Sequence, residues 1–279
     1  MSALLGRRWR VEVDGLRLEG FRTAFKVRRT TGAVLNTAEI TLSNLALDTR
    51  AQLGRTGARV SLTAGYEGTA ALLFSGEIRP PLEVRKAGTE VEVLIRAADG
   101  DGAYRSALYS GTFGPGALVL DVVAAVARAL GVGSEDALRR LRAGGHPVAQ
   151  ALLPRGHAAS GRASTVLSVL LAPHGLGWSI QDGELQVLAT REVLPGEALL
   201  LEPPFLVGVP EVATKKSESG GPTSTGTKLT TLLHPPIRPG VQLLVRSRGV
   251  RGYFRANTVE HVGDTHGAAW HTQIEATPL

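Results

Sequence analysis

The sequence predicts a mainly β protein with an α+β middle, and two patterns support this fold class. Apolar residues alternate with polar ones in the first and last thirds, as at Trp9 and Val11, which is typical of half-buried strands. The middle third instead carries apolar residues at helical spacing. We therefore expect β domains over residues 1–102 and 191–279 and an α+β domain over 103–190.

The first third contains several short alternating runs separated by glycine or proline. Asp14 and Gly15 lie between two such runs, and Asp-Gly is a strong signal for a two-residue hairpin. The predicted strands are centred on residues 9–13, 25–28, 39–43, 59–63 and 90–95. Short strands at this spacing predict an antiparallel sandwich or barrel.

The middle third predicts three helices and a hairpin. The helices are expected over 118–130, from Ser134 to Gly144, and from Ser164 to Pro173. Asp182 and Gly183 then separate two alternating runs, which predicts a hairpin over residues 178–188.

A β pattern occurs twice, once near each end of the chain. Each copy has a glycine turn, an alternating strand, a Gly-Tyr pair and a further strand, and each follows another strand. The first copy comprises 57–62, Gly65-Tyr66 and 74–78 after the strand at 38–42; the second comprises 239–244, Gly252-Tyr253-Phe254 and 257–259 after the strand at 228–232. The repeat favours an assembly component over a catalyst, with chance similarity of strand composition as the competing explanation.

Composition limits the possible functions. The 279 residues are 43% apolar and 20% charged, as in globular proteins, and include no cysteine. Disulfides, thiolate metal sites and cysteine nucleophiles are therefore excluded. The apolar run at 117–130 contains Asp121 and Arg128 and is shorter than the about 20 residues of a membrane span. We expect no secretory signal in residues 1–13 and no stable membrane insertion.

The net charge of +6 allows two explanations. One is an electrostatic partner such as nucleic acid. The other is a general preference for arginine, which the scattered arginines favour.

One cluster contains residue types that bind metals: Glu260, His261, Asp264, His266 and His271. Two histidines and a carboxylate can hold zinc, and His261 and His271 could face each other across a hairpin. The competing interpretation, which we favour, is a solvated hairpin whose tip at 263–267 is chosen for turn geometry.

No other pattern predicts catalysis. A nucleophile elbow and a phosphate-binding loop are both absent from the sequence. Glu90 and Glu92 fit a solvated strand face, and Tyr66, Trp178 and Trp270 fit core or interface packing. We therefore predict a protein that is not an enzyme, with no catalytic, cofactor-binding or metal-binding residues and no cofactor.

Most of the chain resembles a family of phage tail (baseplate) hub proteins, the late-control protein D-like group. The similarity lies in short motifs and in their order. These motifs are residues 36–45, 57–66, 73–78, 164–188 and 252–270.

The resemblance implies two tube-type β-barrel domains per chain, flanking the mixed helical and hairpin domain. It also implies a homotrimer whose pseudo-six-fold ring joins the tail tube to the spike. The expected partners are tail tube or distal tail proteins, a central spike and a tape-measure protein, with DNA only in transit through the channel. The expected location is the tail baseplate of the virion, and the host cytoplasm during assembly.

Within such a hub, the strands at 60–66 and 241–245 are expected to line or build the ring. The polar segment 214–227 is expected to be a mobile loop, or one that orders on assembly, and to reach a neighbouring subunit, the spike or the lumen. A plain flexible hairpin connection is the competing interpretation. Two other functions stay open: a glycan- or nucleic-acid-binding β module, and a metal-dependent hydrolase built on His261, Asp264 and His266.

Overall fold

A computed structural model of the chain describes residues 6–53, 55, 57–215 and 224–279. Its internal contacts define two compact units. The first comprises Met1–Thr30, Asn36–Ala98 and Arg191–Leu279, and the second comprises Thr31–Leu35 and Asp99–Thr190.

Strands dominate the first and last thirds, and helices are concentrated between them. The first third contains β1 (Arg7–Val13), β2 (Leu16–Leu18), β3 (Thr23–Thr30), β4 (Thr37–Ser43), α1 (Leu47–Leu53), β5 (Arg59–Tyr66), β6 (Ala71–Ala87) and β7 (Glu90–Ala98). The middle contains α2 (Asp101–Ser106), β8 (Leu108–Phe113), α3 (Val119–Ala129), α4 (Glu135–Ala143), β9 (His157–Arg162), α5 (Ala163–Leu171), β10 (Leu176–Gln181) and β11 (Glu184–Ala189), with 3-10 turns at Pro147–Gln150 and Ala172–His174. The last third contains β12 (Leu199–Leu201), β13 (Glu211–Lys215), β14 (Ser224–Leu232), β15 (Gln242–Arg246), β16 (Arg251–Asp264) and β17 (Trp270–Pro278).

The local sequence signals explain most of these elements. In β1 the exposed Arg8 and Arg10 alternate with the more buried Trp9 and Val11. The β1–β2 hairpin turns through Asp14 and Gly15 at φ 45° and 83°, the left-handed values that a tight hairpin turn requires. The predicted strands of the first third are confirmed.

The middle unit packs its helices over a short hairpin. The predicted helices are confirmed as α3, α4 and α5, and the predicted hairpin as β10–β11. Val126 and Leu167 on α3 and α5 are fully buried in its core. The β8–β9 pair and α2 were not predicted, because residues 111–116 are rich in glycine and indicate a linker.

The strands of the first unit form one 13-stranded sheet. Its main path is β13-β14-β17-β16-β3-β4-β7-β6-β5-β1-β2, and β15 branches from β16 and carries β12. The first and last thirds therefore meet where β3 pairs with β16. Within the described residues this path is open at β13 and β2, so no closed barrel is found there. The two tube-type barrels and the boundaries 1–102 and 191–279 stay predictions.

Two apolar cores stabilise this sheet. One is built mainly from the first third, includes Ile40 and Leu62, and is joined by Leu233 and Trp270; the other is built from the last third and includes Val245 and Ile274. Ile40, Leu62, Val245 and Ile274 are at most 1% exposed. Among the described helices, none has the length and apolar character needed to cross a membrane.

Candidate assembly surface

The repeat seen in the sequence corresponds to a repeated strand order. In the first third, six strands pair in the order β3-β4-β7-β6-β5-β1. In the last third, six strands pair in the order β13-β14-β17-β16-β15-β12. We call these sets the N-terminal and the C-terminal β unit. One difference is that β1 is antiparallel to β5, whereas β12 is parallel to β15.

Outside their β-bulges, the strand registers make core positions of the two β units equivalent. Ile40 lies opposite Ile95 in the N-terminal unit, as Leu229 lies opposite Ile274 in the C-terminal unit. All four are at most 1% exposed. The repeat is therefore a repeat of packing as well as of topology.

The equivalence of the two β units changes how the two copies of the sequence pattern are matched. The sequence matched Gly65-Tyr66 with Gly252-Tyr253. In the structure, Ile78 and Ala256 pair with the equivalent Ala97 and Ala276. Phe74 and Gly252 each lie four residues before these positions, so Phe74 corresponds to Gly252. The match was wrong because β5 has eight residues and β15 five, which shifts the second strand.

In both units a phenylalanine ring lies near a glycine two residues away on the same strand. The phenylalanine precedes the glycine in the N-terminal unit and follows it in the C-terminal unit. A methyl group at Gly76 would lie 2.6 Å from Phe74 Cζ, and one at Gly252 would lie 4.0 Å from Phe254 Cε2. The same register equates Gly76 with Phe254. A ring over a strand glycine supplies the packing that the missing side chain does not.

The junction between the two β units is a buried strand pair. Residues 251–255 of β16 pair with β15, and residues 258–264 pair with β3. Val27 lies opposite His261, and both are at most 1% exposed. At the surface, Lys26 Nζ lies 3.0 Å from Glu260 Oε1.

His261 is neutral in this junction. Its Nδ1 lies 2.9 Å from Thr272 Oγ1. Burial, and next the positive charge of Arg29, lower the pKa of His261 from 6.5 to about 3. Arg29 is itself buried and donates a hydrogen bond to the Leu73 carbonyl at 3.1 Å. The histidine therefore belongs to the packed interior and not to a solvent-facing site.

The candidate metal ligands are not brought together. His261 lies opposite Thr272, and His271 lies opposite the adjacent Val262. Because neighbouring strand residues point to opposite faces, the expectation that the two imidazoles could face each other is wrong. Among the described residues, no group of three or more His, Cys, Asp or Glu side chains is placed to hold a metal ion.

Asp264 and His266 of that cluster lie at the hairpin tip, whereas Glu260 lies within β16. The His266 N–H donates to Asp264 Oδ1 at 2.9 Å. Arg7 crosses the tip and donates to the Asp264 and Gly267 carbonyls at 2.7 and 2.6 Å. Asp264 and His266 thus have contacts that stabilise a turn, as the solvated-hairpin interpretation predicts.

The other single residues considered from the sequence have packing or surface roles. Trp270 is 4% exposed and meets Phe25 edge to face at 5.4 Å. Trp178 Nε1 donates to Ser168 Oγ at 2.9 Å, and Tyr66 is 9% exposed. Glu90 lies 3.7 Å from an Arg22 nitrogen in an ion pair, which fits the predicted solvated strand face. Glu92 is only partly buried.

The strands expected to build the ring are core strands of the β units. In β5 and β15 the buried Leu62 and Val245 alternate with more accessible positions. Whether either strand lines a channel stays a proposal.

The polar segment 214–227 is only partly a loop. Thr214 and Lys215 pair with Thr225 and Ser224, because threonine and serine residues near each end extend the flanking strands. The core of the expected loop, residues 216–223, lies outside the described residues.

Comparison with solved structures identifies the fold. The chain is similar to the 43 kDa tail protein of prophage MuSo2 from Shewanella oneidensis, with 10% identity, a TM-score of 0.69, and coverage of 98% of this chain and 97% of that one. It is also similar to a tail protein from Neisseria meningitidis MC58, with 11% identity, a TM-score of 0.67 and coverage of 98% and 97%.

A third neighbour comes from a secretion system. The E. coli c3393 protein is a component of the type VI secretion system with structural similarity to the T4 tail proteins gp27 and gp5. Its identity to this chain is 11%, its TM-score is 0.61, and 96% of this chain and 76% of that chain are covered. No family model matches the chain, and no curated protein matches it. The chain therefore has the fold of these phage tail proteins and of this type VI secretion component.

Proposed function

We propose that this chain is a structural tail or baseplate hub, of the late-control protein D-like kind, in a phage or phage-like injection device. The observation that carries the proposal is the presence of two β units with one strand order in a single chain, joined by the β3–β16 pair. The fold shared with tail proteins along nearly the whole chain supports it.

The proposed mechanism is geometric. Each β unit acts as one tube-type barrel position, so three chains provide six positions in a closed ring. Closed symmetric rings are the usual way to satisfy a head-to-tail contact. One side of this ring would match a six-fold tail tube, and the other side a three-fold spike.

The proposed partners follow from this position. They are tail tube or distal tail proteins, the central spike and a tape-measure protein, with DNA only passing through the channel. The chain would reside in the virion baseplate, after assembly in the host cytoplasm, and would have no catalytic role.

Light scattering on the purified chain at high concentration, alone and with the spike and tube proteins encoded beside it, tests the proposal. We expect a species of three times the 29.3 kDa chain mass that binds the spike. A strict monomer that binds neither protein would contradict the proposal. A steep loss of DNA affinity with rising salt would instead favour a nucleic-acid-binding module.

A further inference from the structure

Among the strand edges of the β units that have no paired strand in the described residues, two are equivalent to the two edges joined in the β3–β16 junction. One is the half of β6 at residues 83–87, which pairs with β7 on one side only. The other is the outer edge of β13, which pairs with β14 on one side only. We infer that β13 of one copy pairs antiparallel with residues 83–87 of β6 in the next copy. The inference rests on the proposed ring and names the contact that would close it.

The equivalence of the two β units supports this pairing. β13 corresponds to β3, and β6 corresponds to β16, in the shared strand order. Inside the chain, β3 already pairs with the half of β16 that β15 leaves free. The open edges of β13 and β6 are therefore the same two surfaces, present once more and uncovered.

The internal registers fix which residues would meet. In the N-terminal unit, Val27 pairs with Ala38, which pairs in turn with Ala97. In the C-terminal unit, Val212 pairs with Thr227, which pairs in turn with Ala276, the equivalent of Ala97. Val212 therefore occupies the position of Val27.

A second equivalence fixes the other side of the contact. Val84 lies opposite Val93, and His261 lies opposite Thr272, which is the equivalent of Val93. Val84 therefore occupies the position of His261.

Because Val27 lies opposite His261, the equivalent contact puts Val212 of one copy opposite Val84 of the next. The exposures agree with this assignment. Val27 and His261 are 0% and 1% exposed, whereas Val212 and Val84 are 60% and 50% exposed. Two apolar side chains are thus exposed at the two positions that are buried in the internal junction.

The neighbouring register position pairs opposite charges. One residue along, Glu211 of one copy would lie opposite Arg85 of the next. In the internal junction the equivalent position holds Lys26 opposite Val262, so this charge pair would belong to the contact between copies alone. Opposite charges across antiparallel strands stabilise the pairing and disfavour a slipped register.

An open apolar edge is a hazard for a protein that stays alone, because it pairs with other chains without control. A second copy of this chain is the occupant whose surface fits, since the chain already contains the matching pair. Val209, at 78% exposure, extends the exposed apolar surface on the approach to β13.

Disulfide trapping tests the register, and the sequence contains no cysteine to interfere. Val84→Cys and Val212→Cys chains are mixed, oxidised and separated without reductant. We expect a cross-linked heterodimer, and a covalent closed oligomer when one chain carries both substitutions. Directly opposed strand residues are close enough for a disulfide.

Val209→Cys mixed with Val84→Cys is the matched control. Val209 is more exposed than Val212 but lies three residues away, roughly 10 Å along the strand. We expect at least tenfold less cross-linking with this pair. Equal cross-linking of both pairs would show random collision and overturn the register.

Light scattering of the same chains under reducing conditions separates the two claims. A trimer in which Val84 and Val212 do not cross-link overturns this contact but leaves the proposed hub standing. A monomer that does not cross-link overturns both.

Discussion

The two β units have the same strand order but differ at one edge. In the C-terminal unit, β3 covers the second half of β16, and His261 there is 1% exposed. In the N-terminal unit, no described strand pairs with the outer side of the equivalent half of β6, and Val84 is 50% exposed. The difference shows that two units in one chain form one junction between them, the β3–β16 pair. The equivalent edges, on β13 and on residues 83–87 of β6, stay accessible to another copy.

The two units also differ in the polarity of their cores. The paired Leu42 and Val93 of the N-terminal unit are replaced by the paired Thr231 and Thr272 of the C-terminal unit, and all four are 0% exposed. Thr272 Oγ1 accepts from the His234 N–H at 3.0 Å and lies 2.9 Å from His261 Nδ1. The C-terminal core is polar where it contacts the buried histidine. At this position, apolar burial therefore contributes more to the stability of the N-terminal unit than to that of the C-terminal unit.

The largest expected effect comes from the apolar core. Leu42→Ala removes a fully buried side chain and leaves a cavity, so we expect a loss of about 3 kcal/mol in the free energy of unfolding. Urea unfolding followed by circular dichroism measures this change. A loss below about 1 kcal/mol would contradict the view that this position is tightly packed.

The next effect concerns the glycine beneath Phe74. A methyl group at Gly76 would lie 2.5 Å from the Ala98 carbonyl oxygen, so Gly76→Ala should cost about 1–3 kcal/mol through overpacking. Gly249→Ala is the control, because no atom lies within 4 Å of the methyl group it adds. Equal melting temperatures for the two variants would refute the proposed contact.

The buried histidine predicts a pH dependence. The pKa of His261 is about 3 in the folded chain and 6.5 when the histidine is exposed in the unfolded chain. Between pH 3 and pH 6.5 the unfolded chain therefore binds more protons than the folded chain. The stability supplied by the neutral form is therefore complete above pH 6.5 and is lost as the pH falls, by up to ~1.4 kcal/mol per pH unit.

His261→Gln should remove this part of the pH dependence, because glutamine does not titrate. Urea unfolding at pH 6 and at pH 5 compares the two chains. His271→Gln, at the more accessible position opposite Val262, is the control for replacing a histidine by glutamine. A His261→Gln chain with an unchanged slope would place the titration elsewhere.

The smallest effect is expected where the C-terminal core is polar. Thr231→Val keeps the shape but removes a hydroxyl that donates to the Leu232 carbonyl at 2.8 Å. We expect a change within about 1 kcal/mol, far below that of Leu42→Ala at the equivalent position. A larger loss, measured by the same urea unfolding, would mean that the two cores do not differ as described.

Much of the fold could be predicted from local sequence signals. Alternation around Trp9 and the Asp14-Gly15 turn specify a hairpin by themselves, and the stripe around Val126 specifies a helix. The β3–β16 junction could not be predicted, because pairing between strands more than 200 residues apart leaves no periodic signal in one sequence. The same limit hid the match of Phe74 with Gly252, which depends on strand register.

The sequence predicts the kind of site, an assembly surface, but not the residues that form it. The sequence indicated an assembly component and predicted that the histidine cluster is a hairpin. The open edges at Val84 and Val212 carry no motif, since an exposed valine in a strand looks like any other until the register shows what it faces.

Electron microscopy of the chain mixed with the proposed spike partner tests the six-position ring most directly. We expect a ring of six similar β positions formed by three chains, in which the N-terminal and C-terminal units alternate. A ring in which each chain occupies one position, or in which the two units lie at different levels, would contradict this expectation.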